Sequence, residues 1–285
     1  MASSTSTAIA VTGSTGALGG YVARDLADRG VAQRLLVRTP ARAPRLPDST
    51  VHQFSYSDRE ASTAALDGVA VLFMVSASES VDRLDQHRSF VDAAEAAGVE
   101  HVVYTSFAAA APDATFTLAR DHHATEEHIK SSSMKWTFLR DSFYIDFLEA
   151  LVGDDDVIRG PAGDGRASFV ARSDVARTAA TILVDPSTHA GRTYDLTGPE
   201  ALTLAEVAAT LARERDRAIT FHDESIEEAY RSRAAFGAPD WQLDAWVSTY
   251  TAIASNVMAG VSRDVETITG TPPIDLESYL RRHHR

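Results

Sequence analysis

The chain contains no cysteine, which removes disulfides, thiolate nucleophiles, iron–sulfur clusters and cysteine-held zinc from its chemistry and fits a reducing compartment. Lysine is almost as scarce: of 27 basic residues only Lys130 and Lys135 are lysines, so very few amines are open to catalysis. No uninterrupted apolar run approaches the ~18 residues of a membrane-spanning helix. Residues 1–7 have neither a basic start nor a long apolar core and read as a disordered arm rather than a secretion signal. Positive charge is outweighed as well. Forty acidic against 27 basic residues leave a formal charge of −13, a field that repels nucleic acid and anionic membranes, so a phosphate-bearing ligand must be captured by local groups. The expectation is a cytoplasmic protein with no nucleic-acid or membrane partner.

What is present is an ordinary globular composition, 44% hydrophobic and 24% charged over 285 residues, enough to bury a large core. Short apolar runs at 8–11, 34–37, 51–54, 69–75, 101–105 and 136–139 are too brief for helices and rich in Val, Ile, Leu or aromatics, so they read as buried strands. Helix-patterned stretches such as 21–29 and 84–97 separate them and stop at Gly30 and Gly98. This alternation predicts an α/β fold, a doubly wound parallel sheet covered on both faces. After about residue 150 turns become dense. Gly163-Asp164-Gly165 predicts a small hairpin, Ser173 an N-cap opening a helix to Val184, then a strand at 193–196 and a helix at 203–213. The rest reads as mostly helical, with Trp241 and Trp246 in one amphipathic stretch.

The first strand runs directly into Thr12-Gly13-Ser14-Thr15-Gly16-Ala17-Leu18-Gly19, with glycines at GxxGxxG spacing before a helix. Gly13 allows the tight turn, Gly16 lets backbone amides approach a pyrophosphate, and Gly19 permits close helix–sheet packing. About twenty residues on, where an NAD site carries an acid for the ribose hydroxyl, stands Arg38, which suits the 2′-phosphate of NADP, with Arg42 and Arg45 as helpers. Asp58 past the third strand either accepts from the adenine amino group or caps a helix. The expected organisation is a Rossmann NAD(P)-binding domain over 8–150 and a smaller, mostly helical substrate lobe over 151–285, some of whose segments can rejoin the main sheet.

Several stretches carry a family resemblance: residues 12–19, Val37-Arg38-Thr39-Pro40, Ala94-Glu95-Ala96-Ala97-Gly98-Val99, Val103-Tyr104-Thr105-Ser106, His122-His123-Ala124-Thr125-Glu126 and Leu139-Arg140. Together they resemble the NmrA-like branch of the atypical short-chain dehydrogenases/reductases. The chain is similar in particular to the bacterial NAD(P)H:quinone oxidoreductase type 2 group, sharing Phe143-Tyr144 and the segment from Gly163-Asp164-Gly165 to Arg172-Ser173-Asp174. The resemblance implies an NADPH-binding Rossmann fold in which Gly13, Ser14, Thr15, Gly16, Ala17 and Leu18 hold the pyrophosphate and Arg38 the 2′-phosphate. It further implies that Ser76, Ala77 and Ser78 pass beside the ribose, that the loop from Asp141 through Ser142 and Phe143 to Tyr144 approaches the nicotinamide, and that Arg172 faces the cofactor.

The Tyr-x-x-x-Lys pair of ordinary members is absent: Tyr56, Tyr104 and Tyr144 are followed four residues later by Glu60, Ala108 and Leu148. The corresponding helix carries His122 and Glu126 instead. A quinone is electron-poor enough to take hydride without strong acid activation if the rings stack well. The proton then comes from solvent or from His122, whose unperturbed pKa is about 6.5, or His122 only bonds within its helix. Ser106 either meets a substrate oxygen or satisfies backbone; Tyr144 is the third catalytic candidate. Phe107, Phe143, Tyr144 and Phe147 follow strand ends on the carboxyl edge and can wall a flat aromatic. No metal site is expected, because His123 points about 100° away from His122 and no HExxH spacing occurs; His87 reads as a packed or surface histidine. Two functions lead: an NADPH-dependent oxidoreductase acting on a quinone or similar small aromatic, or a non-catalytic NAD(P)-sensing regulator of NmrA type; a third, an isoflavone-reductase-like enzyme, lacks a counterpart here for its catalytic lysine. A homodimer is the default assembly.

Overall fold

The computed structural model describes residues 8–283; the expected arm at 1–7 lies outside them, as do the last two residues of the basic terminus. The chain runs β1 (Ile9–Thr12), α1 (Ala17–Asp28), β2 (Gln33–Val37), β3 (Ser49–Gln53), α2 (Arg59–Leu66), β4 (Val71–Met74), α3 (Arg83–Ala96), β5 (His101–Phe107), α4 (Thr117–Ser131) and β6 (Lys135–Asp141). It continues with β7 (Val157–Gly160), β8 (Arg166–Ala167), α5 (Arg172–Val184), β9 (Arg192–Leu196), β10 (Leu202–Thr203), α6 (Leu204–Arg215), β11 (Thr220–Asp223), α7 (Ile226–Ala234), α8 (Asp240–Ala254), α9 (Asp264–Thr269) and α10 (Leu276–Arg282).

Seven strands form one sheet in the order β3-β2-β1-β4-β5-β6-β9. β1 pairs in parallel with β2 on one side and β4 on the other, Ala10 standing opposite Arg34 and Leu72. Every residue of β1 and β4 is buried, as strands covered on both faces must be. The order reverses between β1 and β4, which creates the switch point at whose carboxyl edge open α/β sheets take their ligands. The Rossmann-type doubly wound sheet is therefore the architecture observed. No helix among the described residues is long and apolar enough to cross a membrane.

Packing divides the chain into two compact units. Of the described residues, the first takes 8–106, His123–Arg140 and Val175–Tyr194, and the second takes Phe107–His122, Asp141–Asp174 and 195–283. No single cut near residue 150 separates them. The core of the first gathers Phe54, Leu72, Phe90, Tyr104 and Phe138, and that of the second Ile158, Phe169, Leu204, Leu211 and Ile253. In the second unit α6 and α7 each begin with a capping box, Thr203 with Glu206 and Ser225 with Glu228.

Two local expectations need correction. Gly163-Asp164-Gly165 closes no hairpin: β7 pairs in parallel with β11 and β8 antiparallel with β10, so the turn hands the chain from one small sheet to another. Glycines mark a turn but not the partner of either flanking strand, and here both partners come from much later in the chain. Ser173 is not an N-cap, because α5 starts at Arg172 and places Ser173 inside its first turn. The strand expected at 193–196 is β9, and it rejoins the main sheet beside β6.

Candidate active site

In the first unit the glycine loop follows β1 directly. Gly13 has φ +65°, a left-handed conformation that side chains resist, and a Cβ there would also stand 3.3 Å from the Val75 side chain. At Gly19 a Cβ would come within 2.5 Å of the Gly13 and Thr12 backbone, so α1 packs on the loop only with glycine at that place. α1 begins after Gly16 with no side-chain cap and no acid in its first turn, which leaves its amide N–H groups and positive end for an anion. Ser14 is buried and its hydroxyl has no hydrogen-bond partner.

Beside this loop lies a cleft of about 530 Å³ lined by Gly13, Thr15, Gly16, Ala17 and Leu18, and by Arg38, Ser76, Ala77 and Ser78. Arg38 is exposed and carries a guanidinium with no ion pair to any described residue. Sequence reasoning missed Ser55, Tyr56 and Ser57, which follow β3 and also line the cleft. The Tyr56 hydroxyl reaches both the Val75 carbonyl and Thr12 Oγ1, and Thr12 Oγ1 accepts from Val75 N at 2.8 Å. This knot ties the ends of β1 and β4 to the chain beyond β3. Burial pushes the Tyr56 phenol well above its ordinary pKa, so it stays a hydrogen-bond donor. The signal for Tyr56 was its place three residues beyond β3 on the carboxyl edge. Asp58 is not among the lining residues; its Oδ1 accepts from Ala61 N at 3.0 Å as the N-cap of α2.

The loop carrying Ser76-Ala77-Ser78 is held by three buried side chains. His87, fully buried, accepts the Ala77 N–H at Nε2 (2.8 Å), so its proton sits on Nδ1, 2.8 Å from Thr125 Oγ1. Arg83 Nε donates to the Ala77 carbonyl at 3.0 Å, and Thr105 Oγ1 accepts from Ser76 N at 2.9 Å. Desolvation, with the Arg83 charge added, lowers the His87 pKa to about 3. His87 is thus a packed, neutral histidine. Ser106 lies at the end of β5, where its hydroxyl donates to Glu126 Oε1 at 2.6 Å. Glu126 is fully buried and receives both Nε (2.9 Å) and Nη2 (2.7 Å) of Arg140.

The second unit collects the remaining candidates around residues 141–144. Ala108 N donates to the Asp141 carbonyl at 2.9 Å, Ser142 N to Leu196 O at 3.0 Å and Val170 N to Phe143 O at 2.9 Å, so this segment is pinned from both sides. Tyr144 donates to Asp141 Oδ2 at 2.7 Å. The Arg172 guanidinium lies over the Tyr144 and Phe147 rings, 4.8 and 4.1 Å from their centroids. Burial raises the Asp141 carboxyl to about 8. Asp141 Oδ1 and Ser142 Oγ are both buried without a partner. Phe107, Phe116 and Phe143 form a triangle with centroids 4.9, 5.0 and 5.5 Å apart, and the buried His122 ring packs on Phe107 at 6.0 Å. Phe107 and Phe116 wall an apolar pocket of about 340 Å³ with Ala110, Ala114, Ala252 and Met258. Phe116 had no marker in the sequence, since only the folding of the alanine-rich segment brings it to Phe107.

These features fit a bound dinucleotide: first-turn amides free of caps, a Ser14 hydroxyl without a partner and an unpaired arginine on one cleft. A match to the NAD(P)H-binding family spans residues 13–186. The chain belongs to that family. It is 33% identical to quinone oxidoreductase 2 of Escherichia coli (strain K12), over 94% of this chain and 96% of that protein. It is 31% identical to the NAD(P)H azoreductase of Xenophilus azovorans over 96% of this chain and 97% of the other. The crystal structure of the NADPH-dependent quinone oxidoreductase of Escherichia coli complexed with NADPH superposes with a TM-score of 0.88 at 31% identity, covering 97% of this chain and all of that one. This member of the NAD(P)H-binding family is an NAD(P)H-dependent oxidoreductase.

Proposed function

We propose that the protein reduces a quinone, or a similarly electron-poor aromatic, by direct hydride transfer from NADPH. The observation that carries this reading is the aromatic-walled pocket of about 340 Å³ in a chain without a Tyr-x-x-x-Lys pair. Such a pocket gives a flat ring a stacking surface, and an acceptor that needs no strong acid can be reduced there. Bound NADPH supplies the hydride from C4 of its dihydronicotinamide ring. In this reading Gly13 to Leu18 hold the pyrophosphate, Arg38 the 2′-phosphate, Ser76 to Ser78 the ribose, and Ser142, Phe143 and Arg172 the nicotinamide end. Tyr144 and His122 serve the acceptor. Ser106, whose hydroxyl hydrogen is directed at Glu126, offers a substrate an acceptor oxygen and no donor.

That relatives at 31–33% identity are named a quinone oxidoreductase and an azoreductase supports an acceptor of this electron-poor, conjugated kind. The test is NADPH oxidation followed by absorbance with a panel of benzoquinones and naphthoquinones. Quinone-dependent loss of NADPH is expected. Tight NADPH binding without turnover on any acceptor defeats the proposal and favours a sensing role.

A further inference from the structure

Hydride uptake leaves an acceptor one proton short: a quinone that gains a hydride is a hydroquinone anion. The second unit contains two groups arranged to supply that proton. Asp141 ends β6 with a side chain 2% exposed and no ion pair to any described residue. Its one hydrogen bond is to the Tyr144 hydroxyl, 2.7 Å away, and Oδ1 has none. A carboxylate so placed would be a buried charge without a counter-ion, so the group keeps its proton. The pair then holds two O–H protons but has only one hydrogen bond between its members. As observed, Tyr144 donates to Asp141 Oδ2; with the carboxyl proton placed on Oδ2, the same 2.7 Å contact runs the other way, Asp141 donating to Tyr144 Oη, and the tyrosine's own proton is left for another acceptor. Tyr144 is also the more open of the two, half-buried where Asp141 is sealed, and it follows Phe143, whose ring packs on Phe107 and Phe116.

We infer that Tyr144 is the proton donor to the reduced acceptor and that Asp141 is the store that refills it. The inference rests on the hydride-transfer reading above. In the step, the Tyr144 O–H bond breaks and its proton joins the acceptor's anionic oxygen. The Asp141 proton moves along the 2.7 Å contact to Tyr144 Oη, and the carboxylate left behind takes a proton from solvent. The sum is acceptor, hydride and one solvent proton in, reduced neutral product out. The charged groups facing the pair are Arg172, over the Tyr144 ring, and Asp146, whose Oδ2 accepts from Arg172 N at 3.0 Å. The guanidinium steadies negative charge passing through the tyrosine. Burial holding the carboxyl near 8 keeps the store full at neutral pH and empties it in alkali.

Infrared spectra of the whole protein without cofactor, and the pH profile of kcat for reduction of menadione by NADPH, decide the matter for the wild type, Asp141→Asn and Tyr144→Phe. The wild type should show a protonated-carboxyl band at neutral pH that fades by about pH 10 and is missing from Asp141→Asn. Its kcat should fall above about pH 8. Asp141→Asn should lose that limb and at least about tenfold in kcat, and Tyr144→Phe should lose kcat by a similar factor with KM moving less. A wild type without the band, a limb that survives in Asp141→Asn, or an unchanged kcat in Tyr144→Phe overturns the inference; the last result decides even if Asp141→Asn fails to fold. A wild type that shows the band but reduces no quinone overturns the hydride-transfer reading, and this role with it.

Discussion

His87 gives a measurable link between acidity and the Ser76-Ala77-Ser78 loop. It is fully buried, accepts the Ala77 amide proton and has its pKa lowered to about 3 by desolvation and Arg83, against about 6.5 in an unfolded chain. Because the folded value is the lower one, the unfolded state takes up the proton first as pH falls. Stability from this residue is complete well above pH 6.5, declines through that value and continues to decline toward the folded pKa. From about pH 8 to pH 5 the wild type should lose about 2 kcal/mol through His87 alone. In His87→Gln the side-chain oxygen can still accept from Ala77 N, but nothing titrates. Urea unfolding of both proteins at the two pH values isolates the effect, since His101, also lowered by burial to about 4, weakens both alike. A pH-dependent loss as large in His87→Gln as in the wild type refutes the assignment of His87 as the neutral clamp of the loop.

Three further substitutions probe the cleft and its frame. Arg38→Ala should weaken NADPH by about 10- to 100-fold, the range for one lost charge-assisted contact, and leave NADH affinity and Tm unchanged, as fluorescence titration and melting will show; equal losses for both nucleotides remove Arg38 from the 2′-phosphate. Gly19→Ala forces a Cβ against the Gly13 backbone and should cost about tenfold or more in dinucleotide affinity, whereas unaltered affinity means that the loop yields without consequence. Glu126→Ala strips Arg140 and Ser106 of a fully buried partner and should destabilise by about 3 kcal/mol in urea unfolding, so a loss below about 1 kcal/mol contradicts a tight pair there.

The strands legible from short apolar runs have a local signal: residues buried on both faces of a parallel sheet read as continuous hydrophobic segments, as β1 and β4 do; β3, expected as a buried strand, is instead the edge strand with none of its residues buried. The glycine loop was equally plain, because its spacing and its place between strand and helix are both local features. What could not be read depends on contacts distant in the chain. Gly163 to Gly165 marked a turn, but the partners of β7 and β8 are β11 and β10. His87 and Arg83 hold Ala77 through the return of α3 past the loop after β4, and nothing in a helix-patterned stretch announces an inward histidine that accepts a backbone proton. Asp58 shows the ambiguity of a lone acid after a strand, which suits an adenine and a helix N-terminus equally well; here it caps α2. The buried Asp141 was hidden for a similar reason: an aspartate closing a strand reads as solvated until the packing around it is known.

Calorimetric titration of the purified protein with NADPH tests the central claim most directly. Heat saturating at one NADPH per chain, weakened for NADH, is the predicted outcome; no detectable uptake of either nucleotide by the folded protein contradicts the account.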